Sequence, residues 1–305
     1  MLSSVAIVFP IFGLIAVGLA VRRFDILDDQ MGESLSKFVF TLAIPALLFS
    51  TLSRSELPAV QPWGYWSAYF IGLAAVWFVA GILSRRLLGH SRAGAVVAGF
   101  TAGQGNLVLV GVPLVLSAYG EAAATPLFLL IGIHLPITMT AATLMLEGRE
   151  ASLLAILRKL ARHPIILAIA AGWIARVSGL ALPAPVWTML EMLGSAAVPG
   201  ALIATGVALH RYGLKSDWKM PAVISVLKLI VHPAIVYVLA FHVMALPPLW
   251  GATAVLLAAC PTGINAYLLA QNYREGVALA SGSVFLTTVL ALATTVFWLA
   301  ILPVP

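Results

Sequence analysis

A chain of 305 residues that is 62% hydrophobic and 9% charged, with mean hydropathy +1.05, is not a soluble domain, since soluble domains carry roughly 25% charged residues. The formal charge of +6 is spread over short loops, where basic cytoplasmic loops account for it without any nucleic acid partner. The single cysteine, Cys260, excludes an internal disulfide and leaves the redox compartment open.

Measured against about 20 apolar residues per span, ten candidate spans follow one another, near 4–21, 35–53, 64–84, 93–118, 122–146, 164–180, 186–209, 220–245, 249–271 and 276–302. The expectation is an all-α polytopic membrane protein forming one membrane domain over 1–305. The first segment has no basic residue before it, and Arg22 and Arg23 follow it, so it reads as a retained span and not a cleaved leader.

Lysine and arginine are concentrated in alternate loops. The first holds Arg22, Arg23 and Lys37, the third Arg85, Arg86 and Arg92, and the fifth Arg149, Arg158, Lys159 and Arg162. The seventh holds Arg211, Lys215 and Lys219, and the ninth Arg274, whereas the even-numbered loops offer only Arg54 and Arg176. This asymmetry predicts a multi-pass protein of the cell (inner) membrane with both termini on the non-cytoplasmic side.

An internal repeat lies at an offset of 154. Pro10 then meets Pro164, Gly18 meets Gly172, Arg22 meets Arg176, Pro45 meets Pro199, Thr51 meets Thr205, Tyr119 meets Tyr273 and Glu121 meets Glu275. Leucines and alanines would align by chance in so apolar a chain, but these residues would not. Five spans per half is an odd number, so 152–305 must insert upside down relative to 1–151, an inverted repeat.

The fourth candidate span is interrupted by Gly103-Gln104-Gly105-Asn106 and again by Gly111 and Pro113; the ninth is interrupted at Cys260-Pro261-Thr262-Gly263-Ile264-Asn265. Proline removes a backbone donor and clashes with the preceding turn, and glycine loosens the backbone. Freed backbone groups are tolerated in a bilayer only where protein or a wet cavity satisfies them. A lone Gly-x-Pro is commonly a packing kink. Two interruptions at matching places in an inverted repeat instead point to a substrate site. Two broken helices approaching from opposite sides would cross at mid-depth and aim two helix N-termini at one polar volume, which suits a carboxylate. Gln104, Asn106, Thr262 and Asn265 add neutral hydrogen-bonding groups there.

At these residues the chain resembles the auxin efflux carrier family, which includes plant carriers and bacterial malonate-carrier-like proteins. The fourth-span pattern Asn106, Gly111, Pro113, Leu114, Tyr119-Gly120, the ninth-span Pro261-Thr262-Gly263-Ile264-Asn265-Ala266-Tyr267 and the second-span Ile44-Pro45-Ala46-Leu47-Leu48-Phe49 carry the likeness, which covers the whole chain. The resemblance implies ten spans, with the first two of each half as scaffold, the other three as a moving unit, and a homodimer. Plant carriers have proline where this chain has Ala266 and glutamine where it has His134. Their long cytoplasmic loop is absent, so a small organic acid is expected in place of auxin.

Other ionisable groups are read more plainly. His134 lies mid-span ahead of Pro136 and is a candidate ligand contact by its family position. His163 and His232 each precede a proline and read as structural. Lys228 lies within snorkelling reach of the cytoplasmic surface, or else assists anion passage, and Glu191 snorkels at the outer edge. No intramembrane aspartate pair, His-Glu-x-x-His or serine–histidine arrangement occurs, so no enzyme, metal or cofactor is expected. The reading is a secondary transporter of a small organic anion working by alternating access of the elevator type. Its substrate-binding residues are Gln104, Gly105, Asn106, Gly111, Pro113, His134, Pro261, Thr262, Gly263 and Asn265. The alternatives are a sodium- or proton-coupled carrier of related crossed-helix design, which would ordinarily place carboxylates at the crossing, and an anion channel.

Overall fold

With no water in a bilayer core, backbone groups must be satisfied within the segment that carries them, so long uncharged runs of Leu, Ala, Val and Ile become helices. The computed structural model describes residues 2–54, 62–148, 154, 158, 161–180, 182–212 and 218–303. Among these the chain is helical without a strand. Its helices are α1 (Leu2–Arg23), α2 (Asp29–Phe38), α3 (Ile44–Arg54), α4 (Trp63–Leu88), α5 (Arg92–Gly103), α6 (Val112–Tyr119) and α7 (Ala124–Glu147). There follow α8 (Pro164–Ser178), α9 (Ala184–Ser195), α10 (Ala197–Leu209), α11 (Lys219–Val226), α12 (His232–Tyr237), α13 (Pro248–Ala259), α14 (Ile264–Tyr273) and α15 (Val277–Ile301).

Helix falls on every apolar segment of the sequence, but seven helical stretches among the described residues are long and apolar enough to cross a membrane. The difference from the expected ten has a physical origin. Breaks after Gly103 and Ala259 leave α5, α13 and α14 as half-helices of 10 to 12 residues, well short of the bilayer width, and the rest of the fourth expected span runs on from Leu107 into α7 as one helical stretch of 41 residues. α8, at 15 residues, is also short. Arg149, Lys159, Lys215 and the junction between the two expected repeats lie outside the described residues.

Prolines shape the long helices. Wide π-type turns at Val39–Ala43, Leu107–Gly111 and Leu227–Val231 stand just before Pro45, Pro113 and Pro233. A proline ring clashes with the carbonyl four residues back and removes its donor, and a wider turn makes room for the ring. The carbonyl that Pro233 leaves without its helical donor, Leu229 O, accepts instead from Trp298 Nε1 at 2.8 Å.

Close helix contacts rest on small residues. α1 packs on α10 at Gly18 and Gly206, where a side chain on either glycine would strike the other helix's backbone. α8 packs on α3 at Gly172, where a Cβ would lie 2.9 Å from Leu52 Cβ. α4 packs lengthwise on α5, and α13 lies among α4, α7, α12 and α15.

Charged side chains close the helix ends. Arg22 binds Asp25 at 2.6 Å and Asp29 at 2.7 Å, and Arg211 from the far side of the sequence joins Asp29 at 3.2 Å and Glu33 at 2.6 Å. Arg54 pairs with Glu191 at 2.7 Å while its guanidinium lies 4.1 Å above the Trp187 ring. Glu191 is thus ion-paired to a neighbouring helix as well as being exposed. Glu147 accepts from Tyr273 Oη at 2.5 Å, tying the end of α7 to the end of α14.

Candidate functional site

The two interruptions meet. Gly105 and Thr262 form an isolated antiparallel bridge. Asn106 N donates to Pro261 O at 2.8 Å, and Gly263 N donates to Gln104 O at 2.9 Å. Each broken stretch of backbone therefore satisfies the other, which is how an unwound segment is tolerated where it is buried from water. The approach requires glycine: a Cβ on Gly263 would lie 2.9 Å from Gly105 O.

Side chains complete the broken ends. Asn106 Oδ1 accepts from Leu109 N at 3.3 Å, an N-cap for the turn that leads into α6. Thr262 Oγ1 donates to Thr101 O at 3.1 Å in the last turn of α5, and Thr262 N donates to Thr287 Oγ1 at 3.0 Å. Because Thr262 N is committed to Thr287, the carbonyl four residues back, Ala258 O, has no helical donor. Lys228 Nζ takes that place at 2.7 Å.

Beside the bridge lies a cavity of about 270 Å³. The starts of both continuing helices border it, through Leu107 and Val108 on one and Ile264 and Asn265 on the other. The free N–H groups and positive dipole end of a helix start make such a place attractive to an anion. Of the residues read from the sequence, Gln104, Gly105, Asn106, His134, Gly263 and Asn265 line it. Gly111, Pro113, Pro261 and Thr262 do not: Pro261 and Thr262 form the bridge, Gly111 packs against Leu257 and Cys260, and Pro113 is buried in the first turn of α6. No aspartate, glutamate, lysine or arginine side chain lines the cavity among the described residues.

His134 is 2% exposed, and its Nε2 has no hydrogen-bond partner. Its other ring nitrogen, Nδ1, lies 3.3 Å from Tyr69 Oη, so the phenol holds the ring edge-on at 5.6 Å between centroids. Thr138 Oγ1, one turn further along α7, donates to Gln104 Oε1 at 2.8 Å and orients that amide at the bridge.

Several placements differ from expectation. Lys228 does not snorkel: it is 0% exposed and lies behind the bridge, with His232 Nδ1 at 3.4 Å. The carbonyl at the end of α13, 30 residues away in sequence, draws it inward. His163 lines the cavity, although it reads as structural from the sequence. Cys260, whose place immediately before the break suggests access from water in at least one state, is fully buried in this structure, its Sγ 3.4 Å from Leu256 O, and does not border the cavity. Tyr69, Thr138 and Thr287 carry no sequence signal, being ordinary residues of apolar helices.

The helical architecture, with its long apolar segments and buried polar interruption, defines an integral, multi-pass membrane protein. The chain belongs to the auxin efflux carrier family, whose model, described as membrane transport protein, matches residues 3–299. It is a transport protein and not an enzyme. It is 33% identical over 312 residues to a protein of Rhizobium meliloti (strain 1021) named "Putative malonate transporter", covering 96% of this chain and 94% of that one. It is also 26% identical to an uncharacterised transporter of Methanothermobacter thermautotrophicus, over 99% of each chain, and 24% identical to one of Methanocaldococcus jannaschii, over 96% of each.

Proposed function

We propose that this protein is a secondary transporter that carries a small organic anion, malonate or a carboxylate of similar size, by alternating access of the elevator type. The observation that carries the reading is the bridge between Gly105 and Thr262, which brings two helix starts to the edge of one cavity that no acidic side chain lines among the described residues. A carboxylate there would be held by helix N-termini, by the amides of Gln104, Asn106 and Asn265, and by His134 Nε2. Neutral groups of this kind bind an anion without a contacting counter-charge and so allow release. The named relative from Rhizobium meliloti is the ground for putting malonate first.

The rest of the reading is ten spans in two inverted repeats, 1–151 and 152–305, with crossing fourth and ninth spans. In it, both termini lie outside the cytoplasm of a cell (inner) membrane and the protein works as a homodimer. Reciprocal packing supports the repeats: α1 of the first half seats on α10 of the second, and α8 of the second seats on α3 of the first, through the matched Gly18 and Gly172. These helices would form the fixed part, and those around the bridge the moving part. Gly111, Pro113, Pro261 and Thr262 act in this reading by shaping the break.

The test is binding and uptake with purified, reconstituted protein across malonate, longer dicarboxylates, and aliphatic and aromatic monocarboxylates. Saturable uptake of a short carboxylate, abolished by Asn106→Ala, is expected. Failure of every carboxylate to bind or cross would refute the assignment.

A further inference from the structure

Lys228 is the one lysine whose side chain is fully buried among the described residues, and it sits behind the cavity without lining it. Its amine would be 3.4 Å from a Cβ on Gly105, a residue that itself lines the cavity. The partners facing the amine are Ala258 O at 2.7 Å, at the negative end of α13, and His232 Nδ1 at 3.4 Å from its own helix. Cys260 lies two residues after Ala258 at the break, and Tyr69 from α4 reaches the His232 ring at 5.2 Å. None of these is a carboxylate.

A structural cap alone would not need a charge. At the end of α5 the corresponding need is met by a neutral hydroxyl, Thr262 Oγ1 on Thr101 O. At the end of α13 it is met by a lysine amine, a group that is costly to take out of water as an ammonium. Ionisable groups within a membrane-spanning helix are functional by default. Here the C-terminal dipole of α13 offsets only part of the charge, and the remaining field reaches the cavity across the thickness of one glycine.

We propose that Lys228 is the built-in counter-charge of the cavity, an ammonium that draws a carboxylate to the bridge without touching it. This rests on the anion-transport reading. Gly105 keeps the partition between amine and cavity thin, and Ala258 O keeps the amine from entering the cavity and locking the anion in place. A carrier so equipped would select by ligand charge and would need no bound metal cation to hold its substrate.

The test uses the purified full chain and a charge series of one shape: malonate, monomethyl malonate and malonamide. In the wild type, affinity should fall as each charge is removed. Lys228→Gln keeps a donor for Ala258 O and loses the charge. Its affinity for malonate should fall by at least about tenfold, while malonamide binding stays unchanged and Lys228→Arg stays within a few-fold of wild type. Lys228→Gln binding malonate as the wild type does would overturn the proposal. So would an equal loss of malonate and malonamide, which would mark Lys228 as a cap only. If Lys228→Gln cannot be purified folded, the wild-type series decides: affinity that ignores ligand charge overturns the proposal, and affinity that rises with it in both wild type and Lys228→Arg supports it. A wild type that binds no carboxylate overturns the transport reading as well. Loss of malonate in Asn106→Ala but not in Lys228→Gln overturns this inference alone.

Discussion

Gly263→Ala is the smallest change that tests whether the bridge holds the site together. Gly263 has φ −77° and ψ 153°, an extended conformation open to any residue, so alanine brings no backbone strain. The whole effect is steric. The new Cβ would sit 2.9 Å from Gly105 O, 3.1 Å from Gly105 C and 3.3 Å from Asn106 N, all backbone atoms with no rotamer to yield. Ordinary contact requires the two breaks to separate by about half an ångström. Overpacking of this kind costs about 1–3 kcal/mol, and stretching the buried bonds Asn106 N to Pro261 O and Gly263 N to Gln104 O adds about 1–3 kcal/mol if either is lost. The expected total is on the order of 3 kcal/mol, a fall in melting temperature of roughly 5–10 °C. Malonate affinity should drop at least about tenfold, because the two helix starts no longer converge. The control is Gly13→Ala, where nothing lies within 4 Å of the added Cβ and no loss is expected. The assay is thermal unfolding of purified protein with and without malonate. A Gly263→Ala protein indistinguishable from Gly13→Ala in melting temperature and in ligand-induced shift would refute the argument.

Asn106→Ala should cost about 1 kcal/mol as a lost N-cap and weaken carboxylate binding at least tenfold, and Asn265→Ala should weaken binding with little effect on folding. Titration calorimetry checks both, and full affinity in both variants would remove the amides from the site. Reporters active only in the cytoplasm should be silent at either terminus and active when fused near Arg158. Activity at both termini would reverse the orientation. Transport in proteoliposomes should be electrogenic and persist without sodium or a pH gradient, since no carboxylate lines the cavity to trade a cation. Each net charge crossing the full field is worth about 2.3 kcal/mol per 100 mV, so flux should follow an imposed potential, and strict sodium dependence would refute the uncoupled mechanism.

The helical class, the apolar segments and the two breaks were legible in the chain because each depends on local chemistry. Apolar length sets a span, and Gly103, Gly105, Pro261 and Gly263 stand at the two interruptions, whereas the helix runs on through Pro113 by way of a wide turn. That the two breaks would meet was an expectation drawn from the sequence alignment of Pro10 with Pro164 and Gly18 with Gly172, and Gly105 does pair with Thr262. The donors that would satisfy the broken ends were not. Thr262 N goes to Thr287, which leaves Ala258 O to Lys228, and neither partner could be chosen without knowing which helices lie behind the bridge. From sequence alone Lys228 either snorkels, because a lysine stem can reach the surface, or assists anion passage. In the fold it turns inward, because an unsatisfied carbonyl at a helix end is the stronger attraction. The cavity wall follows the same logic. Gln104, Asn106 and Asn265 flank the breaks and were found, whereas His163 and the residues that orient the wall, Tyr69 and Thr138, come from other helices. Their roles arise from how α4, α7 and α8 pack, and packing in a uniformly apolar chain is decided by shape, which no single stretch of sequence carries.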